Sequence, residues 1–271
     1  MRRMSISLAS LVVMLVAYTN YASPVKGIVG AVNEEFGDGQ ENPTPMYIKD
    51  GLVNFWDGLL SPRDYSSSDA VLGYWYDVLR GEALSGYVID APYILVGIAP
   101  NSYAWGATDS KIINSDFSIH TRLELPKRNI WKAWSIIGIG REDGLQDGIV
   151  LSGANQTLQV QYRMRYSGTI LNSIPLVGVS YGSTITYDLI FLYNTKTYIV
   201  YIDGIYAGES TILVENWNLD GKLVRIGMNF LGRDIGYNDN TKYYNLLFYN
   251  KALTADEIYH NYLIDKERFG L

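Results

Sequence analysis

Thr197-Tyr198-Ile199-Val200-Tyr201-Ile202-Asp203-Gly204-Ile205-Tyr206-Ala207-Gly208 is the stretch whose reading decides the fold. Two apolar runs flank Asp203-Gly204, a pair that accepts φ > 0 at both positions, as a two-residue type I′ turn demands. The stretch therefore predicts a tight β-hairpin. Both faces of its first run are apolar, which places that strand inside a sandwich rather than at an edge.

Outward from this hairpin, short apolar runs alternate with turn residues. Strands are predicted at 51–56, 74–79, 93–98, 117–125, 134–139, 157–166, 183–193, 197–202, 205–209, 224–228 and 243–249. Many short strands with frequent turn signals indicate a sandwich or barrel. One short helix is well signalled, at the C-terminus. Thr254-Ala255-Asp256-Glu257 is a capping box, with Leu253 and Ile258 as its hydrophobic staple. Ile258, Tyr262 and Ile264 or Asp265 follow on the expected face, and Phe269-Gly270 ends the helix. Being alone, this helix needs a sheet to lie on.

Composition agrees and excludes several functions. The chain has 271 residues, with 23 Tyr against 7 Phe, and 26 Gly. Tyr combines an apolar body with a polar tip and suits half-buried strand faces and contact surfaces. Lys plus Arg less Asp plus Glu is 22 − 28 = −6, which argues against a phosphate-tracking nucleic-acid binder. Cys is zero, which removes disulfides, thiolate chemistry and Cys-based metal sites. His120 and His260 are the only two histidines, so a multi-His metal site is not expected.

Residues 1–45 read as an arm or signal segment plus linker, ahead of a globular part at 46–271. Arg2 and Arg3 precede an apolar stretch from Ile6 to Ala17, the layout of a secretory signal with cleavage after Thr19. The stretch is short of the about 20 apolar residues of a stable membrane span. A retained arm, packed on a neighbouring subunit, fits the same residues equally. Pro24, Pro43, Pro45 and the run Asn33-Glu34-Glu35-Phe36-Gly37-Asp38-Gly39 mark the linker.

The hairpin resembles the "Y-x-D-G" hairpin of laminin-G-like, concanavalin A-type jelly rolls. The residues from Val224 onward, with Tyr249-Asn250-Lys251-Ala252-Leu253-Thr254 followed by Glu257-Ile258 and Asn261-Tyr262, resemble that family's closing strand and helix. Gly51-Leu52-Val53-Asn54-Phe55-Trp56-Asp57-Gly58 and Trp75-Tyr76-Asp77-Val78-Leu79-Arg80-Gly81 look like its opening strand and turn. The resemblance covers residues 50–271. It implies an all-β antiparallel sandwich with a C-terminal helix. It also implies binding or assembly more often than catalysis, since such modules occur in bacterial surface proteins and in virion proteins of tailed phages.

The same fold hosts glucanases, whose E-x-D-x-x-E strand sets two carboxylates on one face. That run is lacking here; Glu124 stands alone, and adjacent Glu34 and Glu35 point apart in a strand. A Ser–His–Asp hydrolase is not expected either: His120 sits in an alternating strand and reads as half-exposed, and His260 reads as a solvated or capping residue of the helix. Calcium, which the resemblance allows, has two oxygen-rich loops to choose from, 233–240 and 142–148, though their Asp, Asn and Gly are also ordinary turn formers. No other cofactor is expected. Trp56, Trp75 and Trp134 read as core. Tyr103, Trp105, Trp131 and Trp217 lie in turn-like contexts beside Asn residues or polar neighbours, where aromatic rings stack on sugar faces; covering a sheet edge or filling a subunit contact is the alternative.

These observations predict a non-enzymatic structural or binding protein. The first expectation is a phage virion component, a fibre, decoration or tail-associated protein. It would be a homo-oligomer touching other virion proteins and cell-surface glycans. The second is a secreted bacterial carbohydrate-binding lectin, and the third a divergent glycoside hydrolase.

Overall fold

The computed structural model describes residues 46–59, 63–64, 73–79, 83–90, 93–96, 104–107, 115–125, 134–140, 148–154, 157–164, 168–175, 179–180, 182–211, 223–226 and 241–270. All belong to the unit Pro45–Leu271. Among the described residues, seventeen strands and one helix follow in order. The first nine are β1 (Leu52–Asp57), β2 (Arg63–Asp64), β3 (Gly73–Tyr76), β4 (Ala83–Asp90), β5 (Tyr93–Val96), β6 (Ala104–Ala107), β7 (Phe117–Glu124), β8 (Trp134–Gly140) and β9 (Gly148–Ala154). Then come β10 (Thr157–Met164), β11 (Gly168–Pro175), β12 (Thr184–Leu192), β13 (Thr197–Ile202), β14 (Ile205–Thr211), β15 (Leu223–Ile226), β16 (Thr241–Tyr243) and β17 (Asn245–Tyr249). The helix is α1 (Ala255–Phe269).

Every pairing is antiparallel, and the strands form two sheets. One runs β14-β13-β12-β7-β17-β1, with β16, β5 and part of β4 continuing from β7. The other runs β2-β3-β4-β6-β15-β8-β9-β10-β11. β4 joins them: Ser85 pairs with Trp105 in the second sheet, whereas residues 88–90 pair with β5 in the first. The fold is an all-β sandwich, as the sequence predicts.

The predicted hairpin is present. Asp203 has φ 52° and Gly204 φ 74°, the two positive values of a type I′ turn. β13 has partners on both sides, β12 and β14, so it lies inside its sheet. The turn also lies against the helix. A Cβ on Gly204 would come 2.9 Å from Tyr259 Cδ2 and 3.1 Å from Tyr262 Cδ1.

The main core lies between the sheets. Phe117, Ile119 and Leu123 of β7, Ile185, Tyr187, Leu189 and Phe191 of β12, and Leu246 and Phe248 of β17 meet Trp75, Leu84, Ile137, Ile139 and Ile226 from the facing layer. Trp56 and Trp75 are core, as predicted. A second apolar cluster, Tyr47, Phe55, Ile190, Leu247, Tyr249, Leu253 and Ile258, lies under α1 on the opposite face of the first sheet. The first sheet is therefore covered on both sides, and all eight residues of β7 are buried.

The helix begins as its sequence dictates. Glu257 N–H donates to Thr254 Oγ1 at 3.3 Å, and Thr254 N–H donates to Glu257 Oε2 at 2.8 Å. Leu253 and Ile258 share the cluster beneath it. Three parts of the sequence reading need correction. β4, β9 and β11 were not predicted, because Gly86, Gly148, Gly153 and Asn172 have poor strand propensity; pairing on both sides of β4 and β9 supplies what propensity lacks. Trp105 is not in a turn but in β6, opposite Arg225 of β15. The buried face of the helix is Ile258, Asn261 and Asp265, more polar than an apolar stripe.

Candidate functional site

Among the described residues, polar chemistry gathers at two places whose surroundings differ. The first is the face of the first sheet under α1. In β7, alternate residues Ser118, His120, Arg122 and Glu124 are buried off the main core; His120 reaches the helix at Asp265, Ser118 the β17–α1 link and Glu124 Lys242 of β16. His120 is fully buried, not half-exposed. Its strand register places it directly opposite Asp188 of β12. His120 Nδ1 lies 2.6 Å from Asp188 Oδ1, and Nε2 lies 3.1 Å from Asp265 Oδ2 on the helix. With a carboxylate oxygen at each ring nitrogen, the geometry suits a ring that donates from both nitrogens, the imidazolium form.

The charges support that state. Burial disfavours the His120 cation, but the charges of Asp188 and Asp265 and their hydrogen bonds outweigh it and push its pKa up to about 10. Burial also pushes the Asp265 carboxyl up, yet His120, the Tyr47 hydroxyl and Arg122 together hold it below the usual carboxylate value. At Asp188 burial wins over His120's pull, and the carboxyl lies above its ordinary value. Fully buried Arg122 supplies a second cation and donates from NH1 to Thr186 Oγ1 at 3.1 Å. Two cations and two carboxylates thus sum to zero, the condition for burying charge at tolerable cost.

Asp265 is the hub. It accepts from the Tyr47 hydroxyl at 2.6 Å, from Asn245 Nδ2 at 2.6 Å and from Thr186 Oγ1 at 2.9 Å. One turn away in either direction, Asn261 accepts from Ile48 N–H at 3.0 Å, and Arg268 forks onto Asp57. Half-buried His260 donates from Nε2 to the Met46 carbonyl at 2.7 Å, a bond outside the helix rather than a cap. One polar stripe of the helix therefore fastens residues 46–48, β1, β7, β12 and β17 together. Asp–His–Asp sets resemble an acid–base centre in composition, but here no solvent path reaches a side chain of the three, and the ring has no nitrogen left for a substrate. The cluster is a clamp.

The expectation that no G-x-S-x-G nucleophile motif is present is wrong. Gly178-Val179-Ser180-Tyr181-Gly182 has the G-x-S-x-G spacing. Its structural context differs from a nucleophile elbow, which joins a strand to a helix. Ser180 is exposed in a turn that leads into β12, and its carbonyl accepts from Ser183 N–H at 3.1 Å.

The second polar place is an open depression of about 530 Å³ at one end of the sandwich, lined by Ser115, Asp116, Tyr193, Asn194, Asn250, Lys251 and Ala252. Three connections build it: the approach to β7, the β12–β13 turn and the β17–α1 link. The turn is closed by Lys196 N–H donating to the Tyr193 carbonyl at 3.3 Å, with Lys196 at φ 54°. Asp116 Oδ1 accepts from Tyr193 N–H at 2.8 Å and fixes the turn to the start of β7. Lys251 Nζ is held by Asp50 at 2.6 Å and Glu257 at 2.7 Å, which raises its pKa through those hydrogen bonds. The side chains of Ser115, Asn194 and Asn250 hold no hydrogen bond within the described residues. The site is a rim of uncommitted neutral polar groups around committed charges. The sequence signal for it was present in the Asn and Asp of these turns, but such residues serve turns everywhere.

None of the predicted aromatic ligand-binding residues lines this depression. Tyr103, Trp131 and Trp217 lie outside the described residues, as do Trp134's side chain and the calcium loops 233–240 and 142–147. Trp105 has a described backbone, in β6, some distance along the other sheet. Among the described residues, no group of three or more His, Cys, Asp or Glu is placed to hold a metal ion, and no helix is long and apolar enough to cross a membrane.

No protein-family model matches the chain, and no curated protein sequence does. Solved structures do match its fold. A sialidase of Trypanosoma rangeli, in complex with a difluoro-KDN, aligns with TM-score 0.56 at 17% identity, covering 81% of this chain and 33% of the sialidase. The binding domain of botulinum neurotoxin serotype D aligns with TM-score 0.59 at 11% identity, over 79% of this chain and 52% of that domain. The binding domain of Paraclostridial Mosquitocidal Protein 1 gives 0.57 at 13%, over 78% and 52%. This chain thus spans a third to a half of the length of these structures. At such identities the likeness is one of fold.

Proposed function

We propose that the chain is a non-enzymatic binding protein that attaches to glycans through a laminin-G-like sandwich at residues 46–271, preceded by an arm or signal segment at 1–45. The observation that carries this reading is the division of its polar chemistry. Histidine and the two carboxylates beside it are sealed under the helix, while the open depression offers neutral hydroxyl and amide groups. Recognition of a polyhydroxylated ligand needs such a set of donors and acceptors in a concave site. Fold neighbours that are binding domains of toxins support a binding role; the sialidase among the neighbours is an enzyme and does not separate binding from catalysis.

Within that reading, the motif resemblance favours a virion component, a fibre, decoration or tail-associated protein acting as a homo-oligomer. The basic start and apolar stretch of residues 2–17 favour a second reading, a secreted bacterial lectin. A glycan array probed with the full chain tests attachment; retention of at least one glycan class is expected, and a blank array overturns it. Antibody labelling of purified particles against culture supernatant separates the two settings. Label confined to supernatant, on a chain starting near Asn20, contradicts the virion.

A further inference from the structure

We infer that the depression at the β12–β13 turn binds the hydroxyl face of an uncharged sugar and discriminates against sialylated or sulfated ones. This rests on the glycan-binding reading and assigns its site and ligand class. The residues decide the charge preference. Lys251 lines the depression and is already shared between Asp50 and Glu257; Lys196, on the same turn, lies over the Tyr193 ring. Asp116 adds a negative charge to the same wall. An anionic sugar would lie against Asp116 and the two carboxylates that hold Lys251, and at a solvated site a further partner for that ammonium returns little.

A neutral sugar meets no such obstacle. Ser115 offers a hydroxyl, and Asn194 and Asn250 each offer two amide donors and one acceptor oxygen. Adjacent sugar hydroxyls, each both donor and acceptor, match amides on opposite rims. Asp116 Oδ2 remains to accept from a hydroxyl while Oδ1 keeps its bond to Tyr193 N–H. Ala252 gives a small apolar lining for sugar C–H groups, beside the edge of Tyr193. Lys196 Nζ sits 3.5 Å from the Tyr193 ring centroid and covers one face of that ring.

The full chain, Asn194→Ala/Asn250→Ala and Tyr206→Ala are compared on arrays of neutral, sialylated and sulfated glycans, with folding checked by melting temperature. Both asparagines are exposed, so the double variant keeps its fold. Tyr206 lies at the far end of the β13–β14 hairpin, about 20 Å away along six residues of strand, and serves as control. The expected result is binding of neutral glycans, weakened at least tenfold in the double variant and unchanged in Tyr206→Ala. Neutral binding that the double variant retains, or that Tyr206→Ala loses equally, overturns the site and leaves the glycan reading intact. A preference for sialylated or sulfated glycans overturns the ligand class. No binding to any glycan overturns the reading on which the inference rests.

Discussion

Replacing Asp265 by Ala removes the hub of the clamp, and the size of the loss follows from what it leaves behind. Four donors lose an acceptor: His120 Nε2, Thr186 Oγ1, the Tyr47 hydroxyl and Asn245 Nδ2. Their four bonds are not independent, because Tyr47's oxygen also accepts from Asn245 and Arg268, and Thr186 also accepts from Arg122. The electrical balance breaks as well: His120 and Arg122 then face Asp188 alone, in a place with no solvent. Removing one member of a buried ion set costs about 3–5 kcal/mol, because the others keep their desolvation penalty. For a domain of this size each kcal/mol lowers the melting temperature by roughly 2–4 °C, so a fall of roughly 6–20 °C is expected. Scanning calorimetry and urea titration measure it. Amide exchange within α1 should accelerate before that of β12 or β17, since the helix loses its main fastening. A loss below about 1 kcal/mol, with α1 exchange unchanged, would refute the view that this cluster holds the helix to the sheet.

Other perturbations read other joints. The raised His120 pKa makes stability depend on pH: the stabilisation is full below the unfolded value of 6.5 and drains away as pH rises toward about 10. Unfolding free energy should therefore fall across pH 7–10, by at most about 1.4 kcal/mol per unit, and His120→Gln should flatten that slope. Gly204→Ala forces a side chain onto positive φ and against the Tyr259 and Tyr262 rings, and should cost about 1–3 kcal/mol in urea titration. Thr254→Ala removes the helix cap and should cost about 1 kcal/mol, restored in part by Asp at the same position.

The strands and the helix start were legible because local rules write them: alternation, Asp-Gly at the hairpin, Thr254 and Glu257 at the cap. The clamp was hidden by one of those rules. Ser118, His120, Arg122 and Glu124 alternate with Phe117, Ile119, Thr121 and Leu123, which is the pattern of a sheet with one wet face. Whether a polar face meets water depends on what lies above it, and α1 comes from more than a hundred residues later in the chain. Its Asn261, Asp265 and Arg268 recur at helical spacing, and that polar stripe was the available signal. It was missed because a buried helix face is expected to be apolar. The depression was hidden for a different reason. Its lining comes from three connections distant in sequence, each an ordinary turn by itself.

The central claim is that this sandwich holds a glycan and leaves its bonds intact. The most direct measurement incubates the purified chain in stoichiometric amount with the glycans it retains, sialylated ones included, and weighs both bound and free sugar by mass spectrometry over hours. The account predicts every glycan recovered at its starting mass. Release of a shortened glycan and a free monosaccharide, in amounts exceeding the protein, would contradict it.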